Sequence, residues 1–432
     1  MDTALVWFRN NLRVQDNASL TAAIATGKRV VGVYYFDPRH YEEGDFGFKK
    51  TEKYRAKFLI ETIENLKANL DKLNITLLVY NHKPEEHITS VVKSYKVTSL
   101  HSQKEWTAEE VKVTNAVERA IPEVSHELVY DQFLFHPDDI PFNTITEVPK
   151  IFTQFRKKCE KESNVRPIFK ELTALPQENI LTTVTPIPTL EGLGLDAFVK
   201  DHRTAFPWEG GEDAAWARLN DYFWTTQKLA YYKKTRNGLI GEGYSSKLSA
   251  WLANGSISTR QIYWEVKRFE KEVKKNQDTY WLIFELIWRD YFKYVSLKHG
   301  DNIFKIGGIL NKEYDWKHNN KAQREWINGN TKYDFVNANM IELKETGWMS
   351  NRGRQNVASF WAKEQEQDWR VGAAYFESIL IDYDVHSNWG NWMYNAGVGN
   401  DPRDRKFNIK RQQDMYDGSG KYVRLWTQEE LF

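Results

Sequence analysis

Between positions 347 and 399 the chain gathers carboxylates, carboxamides, arginines and aromatic rings: GWMSNRGRQNVASFWAKEQEQDWRVGAAYFESILIDYDVHSNWGNWMYNAGVG. Taken as a helix, the stretch after Gly347 places Asn351 and Arg354 on one face, three residues apart. The polar corner Asp368-Trp369-Arg370 precedes a second expected helix, about 371–381. That helix runs out into Asp382-Tyr383-Asp384, then into an expected loop with Asn388, Gly390, Asn391, Gly397 and Gly399. Carboxylates, carboxamides and an arginine thus stand beside Trp369, Trp389, Trp392 and Tyr394. Glycines there permit positive φ and close approach of backbone to a ligand. The bland alternative is a polar helix end stacked on an aromatic core. Buried charge must be paired, so the whole cluster favours a binding site.

Two earlier stretches could contribute to the same site. In an expected helix over 280–297, Trp281, Glu285, Trp288 and Arg289 share one face, with Ile283, Phe284, Ile287 and Tyr291 toward the other. This stripe reads as a pocket wall or as an ion pair bridging two helices. Tyr232 and Arg236 are followed by Ser245-Ser246-Lys247-Leu248-Ser249-Ala250-Trp251-Leu252. A serine-rich helix start either caps free N–H groups or offers them to a phosphate.

These motifs resemble the photolyase/cryptochrome family. The residues that carry the likeness are Trp348-Met349-Ser350-Asn351-Arg352-Gly353-Arg354, Asp368-Trp369-Arg370, and Asp382-Tyr383-Asp384 with Asn388 and Trp392. Asn351 to Ser359, and Asn388-Trp389-Gly390-Asn391-Trp392 followed by Tyr394, are similar to the DASH-type cryptochromes in particular. The similarity extends over nearly the whole chain. It implies FAD, folded so that its adenine meets its isoalloxazine ring. Ser245, Ser246, Lys247, Leu248 and Ser249 match the flavin-pyrophosphate loop, and Arg289 a flavin-phosphate contact. Tyr232, Trp281, Glu285, Asn351, Arg354, Asp382, Tyr383 and Asp384 complete the implied cofactor set. Asn388 matches the residue opposite flavin N5, where a neutral amide can donate or accept.

The resemblance further implies light-driven repair of cyclobutane pyrimidine dimers by electron transfer from excited, reduced FAD. Glu285 would hydrogen-bond the dimer's carbonyls as charge develops, with Asn351 beside it. Trp288 matches the tryptophan that stacks on the damaged base; Gln355 and Tyr394 line the same pocket. Trp392, Trp369 and Trp326 match the chain that reduces the flavin in light, with Trp392 nearest and Trp326 as its exposed end. Ser350 and Asn351 stand where the six-four branch carries histidines, so repair of six-four lesions is not expected. Glu105 matches the carboxylate that holds a 5,10-methenyltetrahydrofolate antenna in DASH relatives; a solvated charge near a helix start is its plain alternative. Single-stranded DNA carrying pyrimidine dimers is the expected partner, and the protein is expected to act as a monomer. A blue-light photoreceptor with little repair is the rival reading.

Composition limits the choices. The 432 residues suggest more than one domain. Sixty basic and 59 acidic residues nearly cancel, so a nucleic-acid surface must be local. Arg403, Arg405, Lys406, Lys410 and Arg411 form one basic run, which is usually a solvated face. Cys159 is the only cysteine, which excludes an internal disulfide and a cysteine-based metal cluster; no metal site is expected. No apolar run is long enough for a membrane span. The first strand begins almost at Met1, leaving no room for a targeting segment, and a cytoplasmic location is expected. The chain stops at Phe432, without the long tail that signalling cryptochromes append.

Residues 4–8, 29–36 and 75–80 are short, β-branched-rich runs read as buried strands, and 16–26 and 51–73 have helical spacing. Alternating strands and helices imply a parallel, Rossmann-like α/β sheet. No G-x-G-x-x-G follows the first strand, so a dinucleotide fingerprint is absent. Arg9-Asn10-Asn11-Leu12-Arg13 leaves the carboxyl end of that strand, where such sheets bind ligands. Eight of the twelve prolines fall between 130 and 207, marking a long linker with one helical piece over 149–161. The expected organisation is an α/β antenna domain over 1–130, a linker over 131–207, and an all-α flavin-binding domain over 208–432.

Overall fold

The computed structural model describes residues 2–401 and 403–428. Met1 and Phe432 lie outside the described residues. Five parallel strands, β1 (Thr3–Trp7), β2 (Arg29–Tyr35), β3 (Thr76–Tyr80), β4 (Val97–Gln103) and β5 (Ser125–Val129), run in the order β3-β2-β1-β4-β5. The three expected strands are present to within about a residue. The other two, VTSLHSQ and SHELV, lack the continuous apolar run that marks a buried strand. Helices α1 (Ala18–Ala25), α2 (Lys53–Asp71), α3 (Pro84–Tyr95) and α4 (Ala108–Ala120) connect the strands. They give the sheet two apolar faces, one around Val6, Phe8 and Leu66, the other around Trp7, Val33 and Val91.

The strand order reverses between β1 and β4. In open parallel sheets a crevice forms where the carboxyl ends of such a pair diverge. Asn10 leaves β1 at that point, while Gln103 and Glu105 leave β4, and all three line one cavity.

After β5 the chain is irregular apart from α5 (Phe152–Glu162) and short turns, until helices take over. These are α6 (Glu212–Asn220), α7 (Tyr232–Thr235), α8 (Ser249–Asn254), α9 (Thr259–Glu272), α10 (Gln277–His299) and α11 (Asn320–Ile327), followed by α12 (Asp334–Thr346), α13 (Asn351–Ser359), α14 (Trp369–Ile379), α15 (Val385–Ala396), α16 (Ile409–Tyr416) and α17 (Lys421–Thr427). Both α9 and α10 begin in reciprocal capping boxes, Ser258 with Gln261 and Asn276 with Thr279. A buried network joins the two parts of the molecule. Arg13 donates to Asp131 at 2.6 Å, and Arg260 to Asp16 at 2.8 Å and Asp131 at 3.1 Å. Sharing two arginines between two aspartates leaves neither carboxylate unpaired, which is what makes burying them tolerable.

Three local expectations need correction. The stretch expected as a loop after Asp384 is the helix α15, capped by Asp384 accepting from Ser387 N. Its glycine serves packing: a Cβ on Gly390 would come within 2.3 Å of the Phe292 ring. The serines before α8 do not cap it. The N-cap is Leu248, with no side-chain bond, and Lys247 takes a left-handed φ of 61°. Finally, Phe284 turns toward the same cavity as Glu285 and not to the opposite side.

Candidate functional site

A cavity of about 350 Å³ opens between α10, α13, α15 and the loop into α8. Its polar wall is rigidly built. Arg354 donates through Nη2 to both oxygens of Asp382, at 2.9 and 3.0 Å, and through Nε to the carbonyl of Met349. Ser249 donates to the same carboxylate at 2.7 Å. Ser350 caps α13 by accepting from Gly353 N, which fixes the turn presenting Asn351. Asp384 receives Lys293 Nζ at 3.1 Å and lies 3.6 Å from Arg289 Nη2. Burial pushes the Asp384 carboxyl up, but Lys293 and Arg289 outweigh it and hold it well below its ordinary value. The terminal nitrogens of Arg289 donate to the carbonyls of Gln132 and Leu252 and to the Thr259 hydroxyl. Arg289 therefore ties the cavity floor to three chain segments while it lines the cavity.

Along the same cavity, Glu285 pairs with Arg236 Nη1 at 2.8 Å. The two readings of this helix face coincide: the bridging ion pair is itself part of the pocket wall. Burial raises the Glu285 carboxyl, opposed by Arg236 and by the Trp281 indole. Trp288 stacks flat on Phe152, 3.6 Å between centres at 12°, and meets Tyr394 edge-on at 6.1 Å. Gln355 also lines the cavity, and its Oε1 is buried without a hydrogen-bond partner. The buried Tyr232, Ser246 and Leu248 complete the lining.

A smaller hollow of about 90 Å³ adjoins it and shares Asn351, Arg354, Asp382 and Asp384 with the first. Asn388, Tyr383 and Trp392 line it. Asn388 donates its amide to the carbonyl of Ala373 at 2.9 Å. Ser245, Lys247 and Trp281 line neither hollow. The Lys247 amine is buried over the Tyr244 ring, and Trp281 stacks on Phe284 at 4.5 Å. The site also uses Arg236, Phe284 and Asn391. For Asn391 the signal was available, because 384, 387–388, 391 and 394 repeat at helical spacing once the glycine is discounted.

The tryptophans behind the site depart from expectation. Trp326 is 0% exposed, so it is not a surface terminus. It lies edge-on to Trp392 at 6.1 Å and stacks on the buried Trp361 at 4.9 Å. The Trp392 ring lies over Gly372, where a Cβ would approach it to 2.2 Å, one helical turn from Trp369. Trp369 is also fully buried and meets Trp389 edge-on at 5.7 Å.

Glu105 lines a separate cavity of about 510 Å³ between the sheet and the helices. It accepts from Gln103 Nε2 at 2.8 Å. Burial raises its carboxyl, opposed by Arg9. Asp384 and Arg289 line this cavity as well as the first, which makes them the partition between the two.

A family model described as DNA photolyase matches residues 4–177, and one described as the FAD binding domain of DNA photolyase matches 281–430. The cryptochrome DASH of Gloeobacter violaceus is 45% identical over 99% of this chain and 86% of its own length. That of Xenopus laevis is 46% identical over 98% of this chain and 82% of its own. The crystal structure of a Synechocystis cryptochrome superposes with a TM-score of 0.94 at 45% identity, covering 99% of this chain and 88% of that one. Among the described residues no helix is long and apolar enough to cross a membrane.

Proposed function

This chain belongs to the photolyase/cryptochrome family, among the DASH-type cryptochromes, and on that footing we propose that it repairs cyclobutane pyrimidine dimers in single-stranded DNA under blue light. One observation carries the reading. A carboxylate, Glu285, and two aromatic rings, Trp288 and Tyr394, line the same cavity as Asn351, Arg354 and Asp382.

The wall fits FAD. The orphaned Gln355 Oε1 asks for a donor from an occupant, since an unmade buried hydrogen bond costs about 1–3 kcal/mol, and Asn388 lines the adjoining hollow with its N–H already used. When bound, FAD supplies the light absorption and the transferable electron. Arg354, held by Asp382, which Ser249 steadies in turn, sets a fixed positive charge beside the ring, and Asp384 anchors α15, which carries Asn388. Glu285 stands where it can hydrogen-bond the lesion's carbonyls, its carboxyl raised by burial against the pull of Arg236. Trp288 keeps one face on Phe152 and offers the other to a base. In this reading residues 1–130 form the antenna unit, with Glu105 holding 5,10-methenyltetrahydrofolate, 131–207 the linker, and 208–432 the flavin unit of a cytoplasmic monomer.

The deciding experiment illuminates purified protein with a dimer-containing single-stranded oligonucleotide. Bound flavin and light-dependent loss of dimers are expected. Flavin without repair would favour a photoreceptor, and a colourless protein that takes up no FAD would overturn both readings.

A further inference from the structure

Trp369 leads somewhere other than the surface. Its neighbour Trp389 donates Nε1–H to the Tyr383 hydroxyl at 3.3 Å. The Glu377 carboxylate stands on the same cavity wall, near enough that it and the phenol bias each other's proton. Arg55 lies over the Tyr383 ring, its guanidinium carbon 4.6 Å from the centre. Trp389, Tyr383, Glu377 and Arg55 all line the 510 Å³ cavity. Two indoles, a phenol and a carboxylate are therefore contiguous from the buried core to a cavity wall.

We infer that Tyr383 is a redox-active residue, oxidised through Trp389 and Trp369 while its phenolic proton passes to Glu377, which leaves a neutral tyrosyl radical on the cavity wall. The inference rests on the flavin reading above, because the oxidant is light-excited, oxidised FAD acting through Trp392. One electron leaves Tyr383 and fills the vacancies passed along Trp389, Trp369 and Trp392, so the flavin ends one electron richer. The phenolic O–H bond breaks, and the proton forms an O–H bond on Glu377.

The surroundings make the proton transfer obligatory. A phenol radical cation is a strong acid, and Arg55 over the ring repels any positive charge left there. Trp389 cannot trap the vacancy in the same way, because its N–H faces a hydroxyl, a poor base. Glu377 is a better one: burial raises its carboxyl, against the pull of Arg55 and Lys50. The plain alternative is that Tyr383 only satisfies the Trp389 N–H.

Flavin-loaded protein flashed with blue light, without added reductant, distinguishes the two by transient absorption and electron paramagnetic resonance. A neutral tyrosyl signal should grow as the tryptophan signal decays, and ring-deuterated tyrosine should narrow it. Glu377→Gln keeps the hydrogen-bonding shape but removes the base, so the tyrosyl yield should fall about a hundredfold, the low end for losing a positioned base. Tyr383→Phe should abolish the signal while tryptophan radicals still form. A tyrosyl signal that survives Tyr383→Phe, or tryptophan radicals alone in the parent protein, overturns the inference. Absence of any photoreduction in the parent instead overturns the flavin reading, and this inference with it. Should Tyr383→Phe fail to hold flavin, the deuterated parent and Glu377→Gln still decide, and an unchanged yield in Glu377→Gln overturns the proton route.

Discussion

The indole of Trp392 lies edge-on to that of Trp326, 6.1 Å between centres at 80°, and Trp326 has no exposed surface. Beyond Trp326 stands Trp361, 2% exposed, so this branch ends inside the core. Trp369, by contrast, touches Trp389, which lines an open cavity. Photoreduction by an external reductant should therefore depend on Trp392 and Trp369 and little on Trp326. Trp392→Phe should slow it strongly with flavin still bound, and Trp369→Phe likewise, since phenylalanine retains most of the ring volume. Trp326→Phe should leave the rate near that of the parent. Steady-state photoreduction of the three variants checks this, and a Trp326→Phe rate as low as that of Trp392→Phe would refute it.

Asp382 is 3% exposed at its side chain and carries both the Arg354 pair and the Ser249 bond. Asp382→Asn leaves Arg354 half-buried beside a neutral amide, and removing one partner of a buried pair costs about 3–5 kcal/mol. Flavin content per chain should fall sharply and the melting temperature should drop. Retention of flavin at parental stoichiometry would show that the pair is not part of the cofactor wall.

Glu105 lines the cavity between the sheet and the helices, with Gln103 and Asn10 as neighbours. Glu105→Gln should weaken a near-ultraviolet folate band without changing flavin content, because the variant touches only the second cavity. Absorption spectra after reconstitution with folate read this directly. Equal folate binding in the variant removes Glu105 from the antenna site.

Glu342 gives the clearest pH signature. It is fully buried and receives the Tyr422 hydroxyl at 2.5 Å. Burial pushes its carboxyl up to about 7, against the pull of Tyr422, Lys247 and Arg354. The folded chain thus keeps a proton that the unfolded chain releases near 4.5. Its contribution to stability is complete below that ordinary value and is lost as pH rises through about 7. Glu342→Gln removes the titration, so the parent should lose melting temperature relative to the variant between about pH 5 and 8. Parallel melting curves across that range would exclude the shift.

What the sequence made legible follows from range. Glu285, Trp288 and Arg289 on α10, and Asn351 with Arg354 on α13, share faces because three- and four-residue spacing is a local property of a helix. Arg236 as the partner of Glu285, and Phe152 as the platform under Trp288, come from distant chain segments, and nothing local marks them. Gly390 and the asparagines around it suggest a loop by propensity. The Phe292 ring overrides that, because only a glycine lets α15 approach α10 so closely. Trp326 is buried against expectation for a related reason, since burial of one indole is decided by what α14 and α15 place over it. β4 carries polar side chains although it is an interior strand, a case in which tertiary position overrules pattern.

If the chain repairs dimers as proposed, its choice between single and double strands should turn on the two rings lining the cavity. Extracting a base from duplex costs a few kcal/mol, least for unpaired strands. Stacking on an aromatic wall returns about 1–3 kcal/mol per base. Here Trp288 has one face closed by Phe152, so a single indole face remains for the lesion. The opposing ring is Tyr394, half-buried and edge-on to Trp288 at 89°, with less area to offer than an indole. Gln355 on the same wall presents an amide where a thioether would adapt to an apolar edge. Flipping from duplex is then incompletely offset, whereas a single strand has no pairing to break. Repair should be markedly faster on single-stranded than on matched double-stranded oligonucleotides at one salt concentration, held fixed because phosphate contacts make affinity salt-dependent. Tyr394→Trp should raise the duplex rate relative to the single-strand rate, since it adds stacking area only at the point where it is short. An unchanged ratio in that variant would place the selectivity in the loops around the cavity, and equal rates in the parent would remove the selectivity altogether.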